Sequence, residues 1–171
     1  MANSKLVGLI LDGWEDFDRV LDGLAPEDAT RQVEGQSAPA WTLAHTTELV
    51  DRWINVGFQG LQAVAGLGDD RYRRGSAGSV ESGAWDDIRA AVAEVRQAAR
   101  AGLESLTDAE LEGTFPYVGG SPELQGTRIP ARYALMRIAS HDYFHIGVIA
   151  CQRDRLGHAV GDYPGLLASA L

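Results

Sequence analysis

Ser140-His141-Asp142-Tyr143-Phe144-His145-Ile146-Gly147-Val148-Ile149 sits inside an apolar-periodic run from about Pro130 to Leu156. Two histidines stand four residues apart. On an α-helix such residues share one face, one turn apart, with Cβ atoms about 5–6 Å from each other. At about 100° per residue the two imidazoles fall within about 40° of one another, with Ile138 and Ile149 on the same side. Both rings therefore point to the interior of a helical bundle or to its edge. Leaving a buried polar ring unpaired costs about 1–3 kcal/mol, so each needs a partner. Ordinary hydrogen bonds can supply one, and so can a shared metal ion. The spacing is less specific than HExxH, because no general base is built into it.

Working outward, the remaining apolar spacing also steps by three and four. The first helix is predicted from about Ser4 to Leu24, with Leu6, Leu9, Ile10, Phe17, Val20, Leu21 and Leu24 on one face and Asn3 or Ser4 as the cap. A polar connection, Ala25 to Ala40, follows. The second helix is expected from Trp41 and Thr42 to about Ala65, capped by Thr42, with His45 in its first turn. Residues Gly66 to Gly83 lack periodicity and read as a mobile loop. Its cluster Arg71, Arg73, Arg74 reads as a solvated face. The third helix spans about Trp85 to Leu106, with Asp86 and Asp87 placed well for the helix dipole. Thr107-Asp108-Ala109-Glu110 is a capping-box pattern. Gly113 to Ile129 reads as a long ordered loop with a short extended piece. Thr127 is expected to cap the fourth helix, with Pro130 in its first turn and Gly157 at its end. The tail Gly161-Asp162-Tyr163-Pro164-Gly165 reads as a turn. Four amphipathic helices without an alternating strand pattern give an all-α four-helix bundle in one domain, residues 1–171.

Composition narrows the function classes. The chain has 171 residues, 45% of them hydrophobic and 23% charged, enough for one domain with a sizeable core. Its net charge of −9 opposes non-specific nucleic-acid binding and anionic membrane surfaces, both of which demand a basic face. Cys151 is the single cysteine, so no internal disulfide can form, which fits a reducing compartment. Asp12, Glu15 and Asp16 interrupt the first apolar run, so neither a signal peptide nor a membrane span is expected. Cytoplasmic location is the simplest expectation.

Of the four histidines, His45 also lies on the apolar side of a helical pattern, whereas His158 follows Gly157 and reads as a surface residue. Three neutral imidazoles, His45, His141 and His145, would leave a divalent ion at least one open position, as catalytic rather than structural sites do. The ion would lower the pKa of a thiol or water bound there. Glu48, one turn beyond His45, reads as a fourth ligand, a base or a surface carboxylate. Asp142 is placed either to orient a ligand imidazole or to bond a neighbouring helix. Arg52 and Arg137 flank the region and can hold an anionic substrate group. Cys151 reads as a small buried residue, and Gln152 shares the ligand face.

Three pieces of this sequence resemble the DinB-like superfamily of metal-dependent enzymes. They are Pro39-Ala40-Trp41-Thr42-Leu43-Ala44-His45, the stretch His141 to Ile149 followed by Arg155-Leu156-Gly157, and Gly161-Asp162-Tyr163-Pro164. The chain departs from many relatives at Ile146, where they carry a basic residue. The resemblance implies an up-down-down-up bundle, often dimeric, with zinc or nickel held by His45, His141 and His145. It further implies chemistry of the thiol S-transferase or isomerase type, in which the metal activates a low-molecular-weight thiol toward a small-molecule substrate. A metal-dependent hydrolase, a non-enzymatic metal-binding stress-response module acting through a partner, and a helical scaffold with three unrelated histidines are the competing readings. What separates them first is whether the three imidazoles meet.

Overall fold

The apolar stripe of the first segment forms helix α1, Lys5–Leu21, with Val7, Ile10, Trp14, Phe17 and Val20 buried, in a computed structural model that describes residues 5–68 and 70–160. The expected caps Asn3 and Ser4, and the expected turn Gly161 to Gly165, lie outside the described residues. The polar connection contains one helical turn, α2 (Pro26–Ala29), with Pro26 at its start, where a missing N–H is not needed.

Helix α3, Pro39–Val50, begins earlier than expected. Ala38 occupies the cap position and Pro39 the first turn. Thr42, expected as the cap, is inside the helix, where its hydroxyl bonds the Ala38 carbonyl at 3.1 Å. His45 therefore falls in the second turn rather than the first. Most of α3 is buried on all sides, because α4 and α5 both pack against it. The rod continues as a π-helix, Asp51–Phe58, and ends there, short of Ala65. Its wide turns carry a polar ladder. The Asn55 amide donates to Asp51 Oδ1 (2.8 Å) and to the Val95 carbonyl (3.2 Å), and the Gln59 amide donates to Asn55 Oδ1 and the Ala98 carbonyl, each at 3.1 Å. Asp51 Oδ2 accepts the Val64 N–H at 2.8 Å, fixing the chain that leaves the helix.

The segment expected to be a mobile loop is instead tied down. It includes a single 3-10 turn, Asp70–Tyr72, with Leu67 and Tyr72 buried. Ala38 N–H donates to the Gly78 carbonyl and the Gln32 amide to the Ala77 carbonyl, both at 2.8 Å. Gly78 has φ +67°, and a Cβ there would lie 2.9 Å from the Ser37 Cα, so glycine is required. These ties run through backbone carbonyls, which leave no trace in a polarity pattern. We refer to residues 70–78 as the strap.

Helix α4, Trp85–Ser105, matches its expected span closely. The capping box forms: Thr107 N–H donates to Glu110 Oε2 at 2.7 Å, opening the turn Glu110–Glu112. The extended piece is a two-stranded antiparallel ribbon, β1 (Thr114–Pro116) and β2 (Arg128–Pro130), with Phe115 opposite Ile129 and both buried. That pairing keeps Arg128–Pro130 extended, so α5 starts at Ala131 with Pro130 at its cap position. Thr127 is not the cap; its hydroxyl bonds the Leu124 carbonyl at 2.7 Å. Helix α5 runs to Arg155, and Gly157 (φ +82°) ends it in the left-handed conformation that glycine adopts at little cost.

The four long helices form an all-α bundle in which α1 lies along α5, and α3 packs on α4 and α5. The α3–α5 contact brings the second-helix histidine to the fourth-helix pair. No described helix is long and apolar enough to cross a membrane. Asn55→Ala would strip the buried Asp51 carboxylate and the Val95 carbonyl of a donor, and the Gln59 amide of an acceptor. It should cost on the order of 1–3 kcal/mol, read as a lower midpoint in urea unfolding; an unchanged midpoint would show that the ladder does not hold the π-helix on α4.

Candidate metal centre

Three imidazoles converge between α3 and α5. His45, His141 and His145 each offer a ring nitrogen, and these atoms lie within 4.8 Å of one another. Ring centroids are 5.0 Å apart for His45 and His141, 5.4 Å for His45 and His145, and 4.5 Å for His141 and His145. The Nε2 atoms of His141 and His145 are 3.2 Å apart. Nitrogens held about 2.0–2.1 Å from one tetrahedral ion stand about 3.4 Å from each other. The α5 pair already matches that spacing, and the His45 nitrogen lies within 4.8 Å of both.

The tautomer of His45 follows from its partner. Its Nδ1 lies 2.6 Å from the Tyr72 carbonyl oxygen, which can only accept, so Nδ1 carries the proton. Nε2 is left with its lone pair. A carbonyl that orients a ligand imidazole in this way is the usual support behind a metal-binding histidine. Trp41, one turn earlier on α3, stacks on the His45 ring with centroids 4.7 Å apart and planes 17° off parallel. Phe144 sets its edge against His145 at 5.1 Å.

The environment keeps the rings neutral. Burial pushes His141 down to about 3, helped by the charge-destabilising nearness of His145, His45 and Arg137. His145 is pushed down to about 4, again mainly by burial, then by His45 and Arg137. Burial also lowers His45, with Arg52 adding to it and the Tyr72 carbonyl opposing. Neutral imidazoles are the form that binds a cation. The buried Nδ1 of His141 has no protein partner.

The other candidate residues are distributed unevenly. Glu48 is not a surface carboxylate: it is 2% exposed, because α3 is enclosed on all sides. Its Oε2 accepts from Arg52 Nη2 at 2.6 Å, while Oε1 is buried without a partner. Burial raises the Glu48 carboxyl, against the opposing pull of Arg52 and Arg73. It does not belong to the cluster of converging ligand atoms. Arg52 is half-buried and Arg137 exposed; both lie close enough to the imidazoles to depress their titration. Asp142 is fully buried and packs among Trp14, Phe17, Thr46, Thr47, Val50 and Arg96. It faces the neighbouring helices, and burial lifts its carboxyl to about 8. Cys151 is exposed rather than buried, on the side of α5 that also exposes Phe144 and Ser140. Gln152 is buried and donates to the Ser37 carbonyl at 2.7 Å. His158 pairs at the surface with Asp28 at 3.0 Å. Ile146, the departure noted above, is 3% exposed and belongs to the core.

Two contributors escaped the sequence reading in whole or in part. The Tyr72 carbonyl is a backbone group and carries no residue signature. Trp41 reads in the sequence as core, rim or the lining of a pocket beside the metal, and its spacing of four from His45 is the further signal for a stacked pair on one helix face.

Among known families, the one described as the DinB superfamily matches residues 10–149, a span that takes in all three histidines. No curated protein matches the chain.

The lowered histidines predict a pH dependence with a definite sign. An unfolded histidine titrates near 6.5, whereas the folded His141 and His145 titrate near 3 and 4. Between those limits the unfolded chain holds more protons, so the metal-free protein loses stability as pH falls from about 6.5 toward 4. Thermal melts of chelator-treated protein should show the falling midpoint, and the double variant His141→Gln, His145→Gln should flatten it. A wild-type slope in that variant would place the titrating groups elsewhere.

Proposed function

This chain belongs to the DinB superfamily, and we propose that it is a divalent-metal-dependent enzyme that activates a thiol or water at His45, His141 and His145. Transfer or isomerisation through a low-molecular-weight thiol is the preferred reaction, and hydrolysis the alternative. The single observation that carries the proposal is the meeting of three neutral ring nitrogens within 4.8 Å, which argues against a scaffold with unrelated histidines. The chemistry of the donor set fits zinc or nickel, since imidazole suits both.

A divalent ion held by His45, His141 and His145 would supply Lewis acidity that makes a thiol or water more acidic. The protein's own part is to fix the imidazoles and to receive its proton. Tyr72 holds His45 in the tautomer that presents Nε2. Glu48 is the residue assigned to the proton: Oε1 is buried, unpartnered and one turn from His45, and burial makes its carboxyl more basic than usual. Arg52 fixes the other oxygen, so Oε1 keeps one orientation. Arg52 and Arg137 place positive charge beside the imidazoles, which favours a small anionic substrate.

His141→Ala should abolish both zinc or nickel content, by elemental analysis of purified protein, and thiol-dependent turnover of small electrophiles. Full turnover in a metal-free variant would refute the proposal. Glu48→Gln distinguishes an enzyme from a closed metal-binding module. As a base, Glu48 is worth about 10²–10⁴ in turnover, so the variant should keep its metal and lose at least a hundredfold in kcat. Loss of the metal instead would make Glu48 a fourth ligand and favour the non-enzymatic reading.

A further inference from the structure

We propose that Trp41 is a positioning residue for the metal centre, acting on His45 directly and through the strap. Its indole does two separable things. The ring face stacks on the His45 imidazole at 4.7 Å, which limits how far that ring can tilt. The indole N–H points to the strap, donating to the Arg71 carbonyl at 2.6 Å and to Ser76 Oγ at 3.1 Å. Ser76 Oγ donates in turn to the same Arg71 carbonyl at 2.6 Å. Three groups thus close a small hydrogen-bonded ring at the residue before Tyr72.

The next carbonyl along the chain is the one that accepts the His45 proton, at 2.6 Å. Arg71 and Tyr72 share a 3-10 turn, so the position of one carbonyl constrains the other. One side chain therefore fixes both the imidazole and its acceptor. An aromatic residue that only filled the core would do neither, and a phenylalanine would serve it equally well. The N–H is the distinguishing atom: it holds the strap against α3 and thereby holds the proton on His45 Nδ1. Without it the Tyr72 carbonyl can drift, and His45 is free to move its proton to Nε2, the nitrogen that a cation needs bare.

The inference rests on reading the three histidines as a metal site, and its test has two arms that fail separately. The substitution is Trp41→Phe, which keeps a stacking ring and removes the N–H. The first readout is the His45 tautomer in metal-free protein, by long-range nitrogen–proton NMR of the imidazoles, tractable because the chain has four histidines. Wild type should show Nδ1–H at His45, and Trp41→Phe a mixture of tautomers. The second readout is zinc affinity by competition with a chromogenic chelator, expected to fall about tenfold, the scale on which outer partners of metal ligands act. Ser76→Ala removes one corner of the ring and should shift both readouts in the same direction, by less; it carries the test alone where Trp41→Phe does not fold. A folded Trp41→Phe with wild-type zinc affinity and an unaltered His45 tautomer overturns the proposal, as does a Ser76→Ala variant that moves neither readout. A wild-type chain that binds no zinc refutes the metal reading instead, while the tautomer arm still decides whether Trp41 positions His45.

Discussion

Three imidazoles half-buried between two helices have to remain uncharged, and the surroundings of α3 and α5 answer to that requirement. A protonated ring there would give up much of its hydration and sit close to two others and to arginines. Burial prevents this, helped by the approach of His141 and His145, whose Nε2 atoms face each other, while the Tyr72 carbonyl fixes which nitrogen of neutral His45 keeps its proton. Much of the local architecture follows. Helix α3 is enclosed on nearly every side, the strap is held against it, and α5 is placed beside it along the turns that carry the histidines.

The chain as a whole is acidic, with a net charge of −9, yet the permanent charges that act on the imidazoles are arginines. Burial does most to depress the three histidines, with Arg52 adding to it at His45 and Arg137 at His141 and His145, while Arg52 and Arg73 oppose burial at Glu48. Local sign and global sign are therefore opposite. Net charge governs what approaches the protein from a distance and what it avoids, whereas the arginines govern what rests at the centre, where screening by solvent is weaker. Glu48 gains its character from the same neighbourhood: one oxygen is committed to a guanidinium and the other is left without a partner.

The helices and the histidine triad were legible in the sequence because both are written as side-chain periodicity. His141 and His145 are one turn apart, and Ile138 and Ile149 mark their side as the core side; the α5 burial pattern agrees, with both isoleucines fully buried. Boundaries were less legible where backbone groups decide them. Thr42 and Thr127 both look like caps, but Pro39 starts α3 and a strand pairing delays α5, and neither effect shows in local composition. The strap is the clearest case. A stretch of glycine, serine, arginine and aspartate has no apolar period, so it reads as mobile, while its carbonyls are the groups that bind Trp41, His45 and Ala38. Glu48 was misjudged for a related reason: a glutamate on a helix is ordinarily at the surface, and only the enclosure of α3 by two partners puts it inside.

The π-helix Asp51–Phe58 has a consequence for how this protein can change. A π-turn holds more residues than an α-turn, so the segment behaves as an α-helix into which extra chain has been inserted. Removing one residue from it would favour ordinary α-geometry, which covers the same turns with fewer residues. The chain on either side would keep close to its present phase, while Asn55 and Gln59 would lose the wide turns that aim them at the Val95 and Ala98 carbonyls. Helices usually accept point changes more readily than changes of length, and in this stretch that asymmetry is relaxed: a one-residue deletion would cost the polar ladder on α4 but leave the rod that carries His45 in place.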